Sequence, residues 1–350
     1  MLQITVHPYT LHFKRPAATS RGALTTRQVY FLRAVDNEQP GVIGWGECGP
    51  MPGLSVDDRP DFGEQVQRVC QQINAGVALK EIDLTSLPSL AFGLETALRD
   101  WQTGGQQRLY HTPFSRGEAP LATHGLIWMD TPENVLHQIE TKLAQGFRVI
   151  KLKVGALPLE QECAILAAIR RVHSADQIQL RLDANGAFTP QNALDILKRF
   201  AEFAIHFLEQ PIRPKQWPAL AELCAHSPIP IALDEELIGV HEPQQQQALL
   251  ETIRPQHIIL KPALLGGFAA SEAWIKRTES IGCEWWINSM LESNIGLNAL
   301  CQWTSALDSG RVHGLGTGQL FTNNIPSPLQ LNGPLLSLNP TTEWNFQCIP

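Results

Sequence analysis

Short apolar runs recur along the last two-thirds of the chain at a nearly constant interval. They begin at Gly125, Val149, Ile178, Ile205, Pro230, His257, Glu284 and Val312, so successive starts lie 24, 29, 27, 25, 27, 27 and 28 residues apart. Between them the apolar positions fall at helical spacing, as in Val135, Leu136, Ile139 and Leu143, and again in Ala193, Leu194, Ile196, Leu197 and Phe200. Both stretches are entered through a Thr-Pro pair, Thr131-Pro132 and Thr189-Pro190, with Thr as N-cap and Pro at the first helical position. Eight strand-like runs alternating with helices predict an α/β fold, a closed (β/α)8-type barrel in preference to an open doubly wound sheet.

The first 120 residues follow another pattern. Leu2–Phe13, Val29–Val35 and 42–47 are rich in β-branched and aromatic residues, with turn chemistry at 37–41, and predict an antiparallel meander. From about Asp57 to Thr103 the pattern turns helical, and Gly104-Gly105 closes it.

On a (β/α) barrel, chemistry gathers at the C-terminal ends of the strands. The polar residues collect there: Lys151 and Lys153 close the second run, Arg181 and Asp183 the third, Glu209 the fourth, Asp234 the fifth and Lys261 the sixth. Side chains alternate along a strand, so Lys151 shares a face with Lys153, and Arg181 with Asp183. Any one of the carboxylates reads equally as a salt-bridge partner or a turn cap. Three together, at spacings of 26 and 25, point to a cation, and an all-oxygen set favours Mg²⁺ or Mn²⁺ over zinc. A carboxylate substrate held there gains enolate character when its α-proton leaves, and a desolvated lysine can take that proton. Lys153, at the strand tip, is the candidate base. Lys151, one pleat deeper, reads as the partner of an acid or a water. Lys261 lies across the mouth, placed to protonate the opposite face or to stabilise the anion.

Composition narrows the rest. Of the 350 residues 43% are hydrophobic and 17% charged, and 27 basic against 34 acidic residues leave a net charge of −7, which argues against a nucleic-acid partner. No apolar run approaches membrane-spanning length, and the N-terminus carries no secretory pattern. Seven scattered cysteines without a CxxC pair fit reduced thiols in a cytoplasm. The eleven histidines lack HxH or HExxH spacing, and no G-x-S-x-G elbow exists. Gly314-Leu315-Gly316-Thr317-Gly318 misses the dinucleotide-binding spacing. It reads as the loop of the eighth strand, either a plain turn or a carboxylate cradle built on Gly316 and Thr317. Ser289, just past the seventh strand, is a candidate carboxylate or water contact, and Glu292 a cap within the same turn.

With these residues in view, the sequence resembles the enolase superfamily, whose members pair a Lys or His base with bound Mg²⁺. Lys151-Leu152-Lys153, Asp183-Ala184-Asn185, Leu208-Glu209-Gln210-Pro211, Leu233-Asp234-Glu235 and Leu260-Lys261-Pro262 are similar to the muconate-lactonizing subgroup. The stretch 44–55 resembles that subgroup's capping-domain loop. Residues 289–298 and 314–324, with Gly125–Met129, resemble the o-succinylbenzoate synthase family of menaquinone biosynthesis; His124 stands where the resemblance would put a smaller polar residue.

The resemblance implies a modified (β/α)7β barrel at 116–318, an α+β capping domain at 1–115, and a C-terminal tail at 319–350 that returns to the cap. It implies Asp183, Glu209 and Asp234 as ligands of Mg²⁺, with Mn²⁺ as the substitute. It also implies Lys153 and Lys261 as catalytic residues, and Lys151, Arg181, Asn185, Ser289, Gly316 and Thr317 against the substrate. Lys153 would take the α-proton and return it to the leaving hydroxyl on the same face, while Lys261 stabilises the anion by cation–π contact. The implied activity is dehydration of 2-succinyl-6-hydroxy-2,4-cyclohexadiene-1-carboxylate to o-succinylbenzoate, with a small carboxylate substrate as partner, no nucleic acid or membrane, and the oligomeric state left open. The segment Arg15–Arg27, with Arg21 and Arg27, would be a mobile loop over the cavity. An N-acylamino acid racemase or dipeptide epimerase on the same scaffold, and a non-catalytic metabolite-binding barrel, are the competing readings.

Overall fold

The structure, a computed structural model, describes every residue except 20, 21, 129 and 308. Arg21 in the expected loop and Met129 at the end of the first barrel run therefore lie outside the described residues.

The N-terminal meander forms as its alternation predicts. Strands β1 (Leu2–Thr19), β2 (Gly22–Asp36) and β3 (Gln39–Cys48) pair antiparallel in that order. Helices α1 (Phe62–Asn74) and α2 (Pro88–Gln102) pack on the sheet through a core that includes Ile4, Leu32, Val66, Leu90 and Leu94. The glycine of Gly46 has a packing cause: a Cβ there would stand 2.8 Å from Ala97 N and from Thr96 Oγ1, so only a bare backbone lets α2 lie directly on β3.

The expected loop at Arg15–Arg27 takes another form. β1 runs on to Thr19 and β2 begins at Gly22, so most of this segment is the two arms of a hairpin. Arg27 is not among the residues that line the cavity between the two halves. It is buried, its Nη2 donating to Gly49 O at 3.1 Å and its Nη1 to Met290 O. Carbonyls of two different segments thus hold a guanidinium that the sequence left free to meet an anion.

The barrel is built from parallel strands β5 (Gly125–Ile127), β6 (Val149–Lys153), β7 (Gln179–Asp183), β8 (Ile205–Glu209), β9 (Ile231–Leu233), β10 (His257–Leu260) and β11 (Glu284–Ile287), hydrogen-bonded in that order after the short β4 (Leu121–Ala122). Helices α3 (Pro132–Ala144), α4 (Leu159–Val172), α5 (Ala193–Ala201), α6 (Trp217–His226), α7 (Pro243–Ile253), α8 (Pro262–Leu265), α9 (Phe268–Ser280) and α10 (Asn294–Leu307) connect the strands or follow the last. Thr131 caps α3, its side chain accepting from Asn134 N. The second Thr-Pro pair does not start a helix at its own position. α5 begins at Ala193, and Asn192 Oδ1 accepts from Thr189 N at 2.9 Å, which closes a turn ahead of it.

The eighth run, 312–315, makes single bridges in place of a strand: His313 to Thr123 and Gly314 to Asn288. Two glycines within Gly314-Leu315-Gly316 offer no side chains to pack along a ladder. Its backbone still joins both edges, with His313 N donating to Ala122 O at 3.1 Å and Gly314 N to Ile287 O at 2.8 Å. A hairpin of β12 (Leu329–Asn332) and β13 (Leu335–Leu338) pairs with β4. The terminal residues also reach the first sheet: Thr322 N donates to His12 O at 2.8 Å, and Phe346 stacks on Trp45 at 5.1 Å. Among the described residues no helix is long and apolar enough to cross a membrane.

Candidate active site

Strand register brings the acids and lysines to one level. Lys153 is paired with Asp183 across β6 and β7, and Asp183 with Glu209 across β7 and β8. Asp234 follows immediately after β9, and Lys261 immediately after β10. Lys153 Nζ donates to Asp183 Oδ2 at 2.5 Å and to Asn185 Oδ1 at 2.7 Å. Lys151 Nζ bridges Asp183 Oδ2 at 2.8 Å and Glu209 Oε1 at 2.7 Å. Lys261 Nζ donates to Asp234 Oδ2. Asn185, in the left-handed region at φ 44°, passes the network on by donating to Glu235 Oε1 at 2.9 Å. Asparagine adopts that conformation more readily than most residues.

Burial makes these charges depend on one another. Desolvation alone would depress the Lys151 and Lys261 ammoniums. The carboxylates beside them, Asp183 and Glu209 for Lys151 and Asp234 for Lys261, outweigh it and hold both above the usual lysine range. Burial likewise opposes the Asp183 charge, yet Lys151 and Lys153 hold its carboxyl well below the ordinary value. Glu209 goes the other way, pushed up by burial and then by the charge of Asp183.

The fit to a cation can be judged from these residues. Asp183, Glu209 and Asp234 are buried at the ends of adjacent strands and present oxygen only. Glu209 Oε2 is buried without a hydrogen-bond partner, an acceptor that a hard divalent ion would satisfy. As the side chains stand, each acid leans on a lysine, and among the described residues no group of three His, Cys, Asp or Glu converges on one point.

The lysines of this network border a cavity of about 380 Å³ whose rim comes from both halves of the molecule, the three acids lying behind them. The cap supplies Leu24, Met51 and Leu54; the barrel supplies Lys151, Lys153, Asn185, Lys261, Ser289, Gly316 and Thr317. Ser289 Oγ is 2.7 Å from Thr317 Oγ1 and donates to Glu292 Oε2 at 2.6 Å, so the seventh and eighth strand ends share one hydroxyl network. Glu292 also accepts from Met290 N at 2.8 Å, closing its own turn.

Arg181 is the exception among the expected substrate contacts. It sits deeper in the barrel, its guanidinium 5.0 Å from the Trp286 ring and 5.3 Å from Phe207, with Nη1 donating to Val312 O at 2.8 Å. It shares a face with Asp183, but two residues nearer the start of the strand, and belongs to the barrel floor. His206 and His257 complete that floor. Burial and the nearby Arg181 lower the first to about 4; burial and then His206 lower the second to about 3.

Several cavity and seam residues carried no assigned role in the sequence. His124, Lys142, Asn288 and Glu235 line the cavity; of these the sequence singles out His124, and Glu235 only as part of the Leu233-Asp234-Glu235 motif. Glu47 of the cap sits at the start of α10, accepting from Ser293 N at 2.9 Å and from Gly296 N at 3.0 Å, where an anion suits the exposed N–H groups. The only sequence signal for it is the resemblance of the surrounding 44–55 stretch.

Comparison with known proteins gives a consistent result. Residues 1–101 match the family described as MenC, N-terminal domain, and residues 134–332 match the enolase C-terminal domain-like family. The chain is 42% identical to an o-succinylbenzoate synthase from Desulfotalea psychrophila, over 97% of this chain and 99% of that one. It superposes on the crystal structure of MenC from the same organism with a TM-score of 0.86 at 40% identity, covering 96% and 99% of the two chains. It is also 25% identical to the L-Ala-D/L-Glu epimerase of Bacillus subtilis over 87% of this chain and 85% of that one.

Proposed function

The chain belongs to the enolase superfamily and, on 42% identity over nearly its whole length, to the o-succinylbenzoate synthase family within it; from that premise we propose that it is a lyase converting 2-succinyl-6-hydroxy-2,4-cyclohexadiene-1-carboxylate to o-succinylbenzoate. The observation that carries this reading is the charge of the cavity. Four lysines border it (Lys142, Lys151, Lys153 and Lys261), three of them backed by the buried Asp183, Glu209 and Asp234, and among the described residues Glu235 is the one acid on its lining. Such a lining suits a substrate with two carboxylates. A dipeptide's ammonium would meet only Glu235, which already accepts from Asn185.

In this reading Lys153 Nζ, held between Asp183 and Asn185, removes the proton from the ring carbon bearing the carboxylate. The C–O bond to the ring hydroxyl then breaks, and Lys153 returns the proton to that oxygen, which leaves as water while the ring becomes aromatic. Lys261, kept as an ammonium by Asp234, stabilises the anion formed between the two steps. Lys151 neutralises Asp183 and Glu209 and keeps them in place. Asp183, Glu209 and Asp234 would hold a divalent cation, Mg²⁺ with Mn²⁺ as substitute, which when bound supplies electrostatic stabilisation of negative charge on the substrate carboxylate. Asn185, Ser289, Gly316 and Thr317 are assigned to substrate contact.

The same proposal divides the chain into a cap at 1–115, a barrel at 116–318 and a returning tail at 319–350. It places the chain in a reducing cytoplasm, where its scattered cysteines persist as thiols. Purified protein with Mg²⁺ should convert the cyclohexadiene with a rise in aromatic absorbance, and Lys153→Ala should lose that activity by on the order of 10³-fold or more. No absorbance change with the wild-type chain, together with α-proton exchange of L-Ala-L-Glu in D₂O, would replace this reading by the epimerase one.

A further inference from the structure

Gln210 follows Glu209 at the end of β8, is fully buried, and takes a left-handed backbone conformation at φ 40°. That conformation is strained for a residue with a side chain and persists only where the surroundings enforce it. Here every polar group of the residue is engaged. Its N–H donates to Ala232 O on β9 at 2.8 Å, and its carbonyl accepts from Gly186 N in the loop after β7 at 2.7 Å. Its Oε1 accepts from Asp234 N and from Glu236 N, both at 3.2 Å. Its Nε2 donates to Ile212 O at 3.0 Å and to Glu236 Oε2 at 3.3 Å. A flipped amide would set NH₂ against two backbone N–H groups, so the network fixes the orientation. Glu236 is itself moored by Lys215 N at 2.7 Å and Trp217 Nε1 at 2.9 Å. One residue thereby joins the three strand ends that carry Asp183, Glu209 and Asp234.

We infer that Gln210 is a positioning residue for the cation site, clipping the backbone at Asp234 to the end of β8 and so setting the spacing of the three carboxylates. The inference rests on the cation reading given under Proposed function and deepens it. Mg²⁺ tolerates little departure from octahedral geometry, so ligands on three separate strands must be held at fixed separations. Continued alternation along β8 would turn the side chain after Glu209 to the opposite face. At φ 40° the chain leaves the strand, and the amide reaches across to Asp234 N instead. No polar atom of Gln210 is left to meet a ligand, so it acts only through the backbone that carries the acids. A merely structural glutamine, pairing buried backbone groups, would cost stability on substitution and leave the cation affinity of the folded protein unchanged.

The test is Mn²⁺ binding to the full-length protein without substrate, followed by EPR, for the wild type, Gln210→Met and Gln246→Met. Gln246 is the structural control, a buried glutamine of α7 whose Nε2 donates to Val240 O at 3.1 Å. Gln210→Met should weaken Mn²⁺ binding at least about tenfold and change the spectrum of the bound ion, while Gln246→Met stays within about threefold of the wild type. A smaller loss in Gln210→Met, or an equal loss in Gln246→Met, overturns the inference. Should Gln210→Met fail to fold, amide hydrogen exchange of the wild type decides. Coupling between clip and cation is reciprocal, so Mg²⁺ saturation must slow exchange at Asp234 N and Glu236 N at least about tenfold more than at Leu250 N in α7. Any lesser difference overturns the inference. A wild-type chain that binds no Mn²⁺ is a separate result, read without any variant, and overturns the cation reading itself.

Discussion

At the scale of single residues, the candidate site rests on period-two alternation. Lys153, Asp183 and Glu209 lie at strand ends, with Lys151 one pleat deeper, where a run of apolar residues stops and only one face can point inward. Alternation fixes the face and leaves the depth open, which is why Arg181 shares a face with Asp183 yet lies among Trp286 and Phe207. Glycine is harder still to read, since its reason lies in what approaches it. Gly314 is closed in by Asn288 and by His124 Cε1, 2.8 Å from where its Cβ would be. Gly314→Ala must push both side chains, each of which borders the cavity. The substitution should lower kcat/KM at least about tenfold while costing about 1–3 kcal/mol of stability. Steady-state kinetics and urea unfolding measure the two effects; unchanged kinetics would mean that Asn288 and His124 move without consequence.

At the scale of elements, the repeat of roughly 27 residues showed where strands belong but not how strongly each would pair. The eighth run is the clearest case. Its interval matched the other six, but glycines reduced it to bridges whose partners, Thr123 and Asn288, lie in other parts of the chain. The start of α10 was equally hidden, because its anion comes from Glu47, 246 residues before Ser293. Glu47 Oε2 alone accepts from Ser293 N, Ser293 Oγ and Gly296 N. Burial, only partly countered by Arg27, raises its pKa, so part of the gain from the charge is offset. An amide oxygen in the same place keeps those three bonds without the desolvated charge. Glu47→Gln should therefore cost less than about 1 kcal/mol, whereas Glu47→Ala, which strands several buried donors, should cost about 3 kcal/mol. Denaturant unfolding separates the two, and a Gln variant as damaged as Ala would show that the charge itself is essential.

At the scale of the whole molecule, the sequence located two compositional halves and was silent on what joins them, because the joint is made of polar groups far apart in sequence. Asp100 at the end of α2 accepts from Trp45 N at 2.9 Å, Gln107 N at 2.6 Å and Gln107 Nε2 at 2.6 Å. The carbonyl of Gln107 in turn accepts from Asn298 Nδ2 at 3.0 Å and Gln302 Nε2 at 2.7 Å, both on α10. Besides the Glu47 contact, cap and barrel are thus tied through a buried carboxyl, Asp100, whose pKa burial raises from 3.8 to about 6, against the three donors that lower it. The folded state consequently keeps a proton that the unfolded chain releases two units lower. Stability from this group is greatest below about pH 4, falls as pH rises towards about 6, and is level above that, a change of at most about 3 kcal/mol. Asp100→Asn cannot titrate, and its amide NH₂ must face one of the three donors, so it is less stable than the wild type throughout. The gap between them should narrow between pH 4 and pH 7 by up to about 3 kcal/mol. Urea unfolding of both proteins at the two pH values tests this, since the difference cancels every other titrating group common to them. A gap that stays constant or widens would mean that Asp100 is ionised in the fold, and that the cap is held to the barrel by a charged joint.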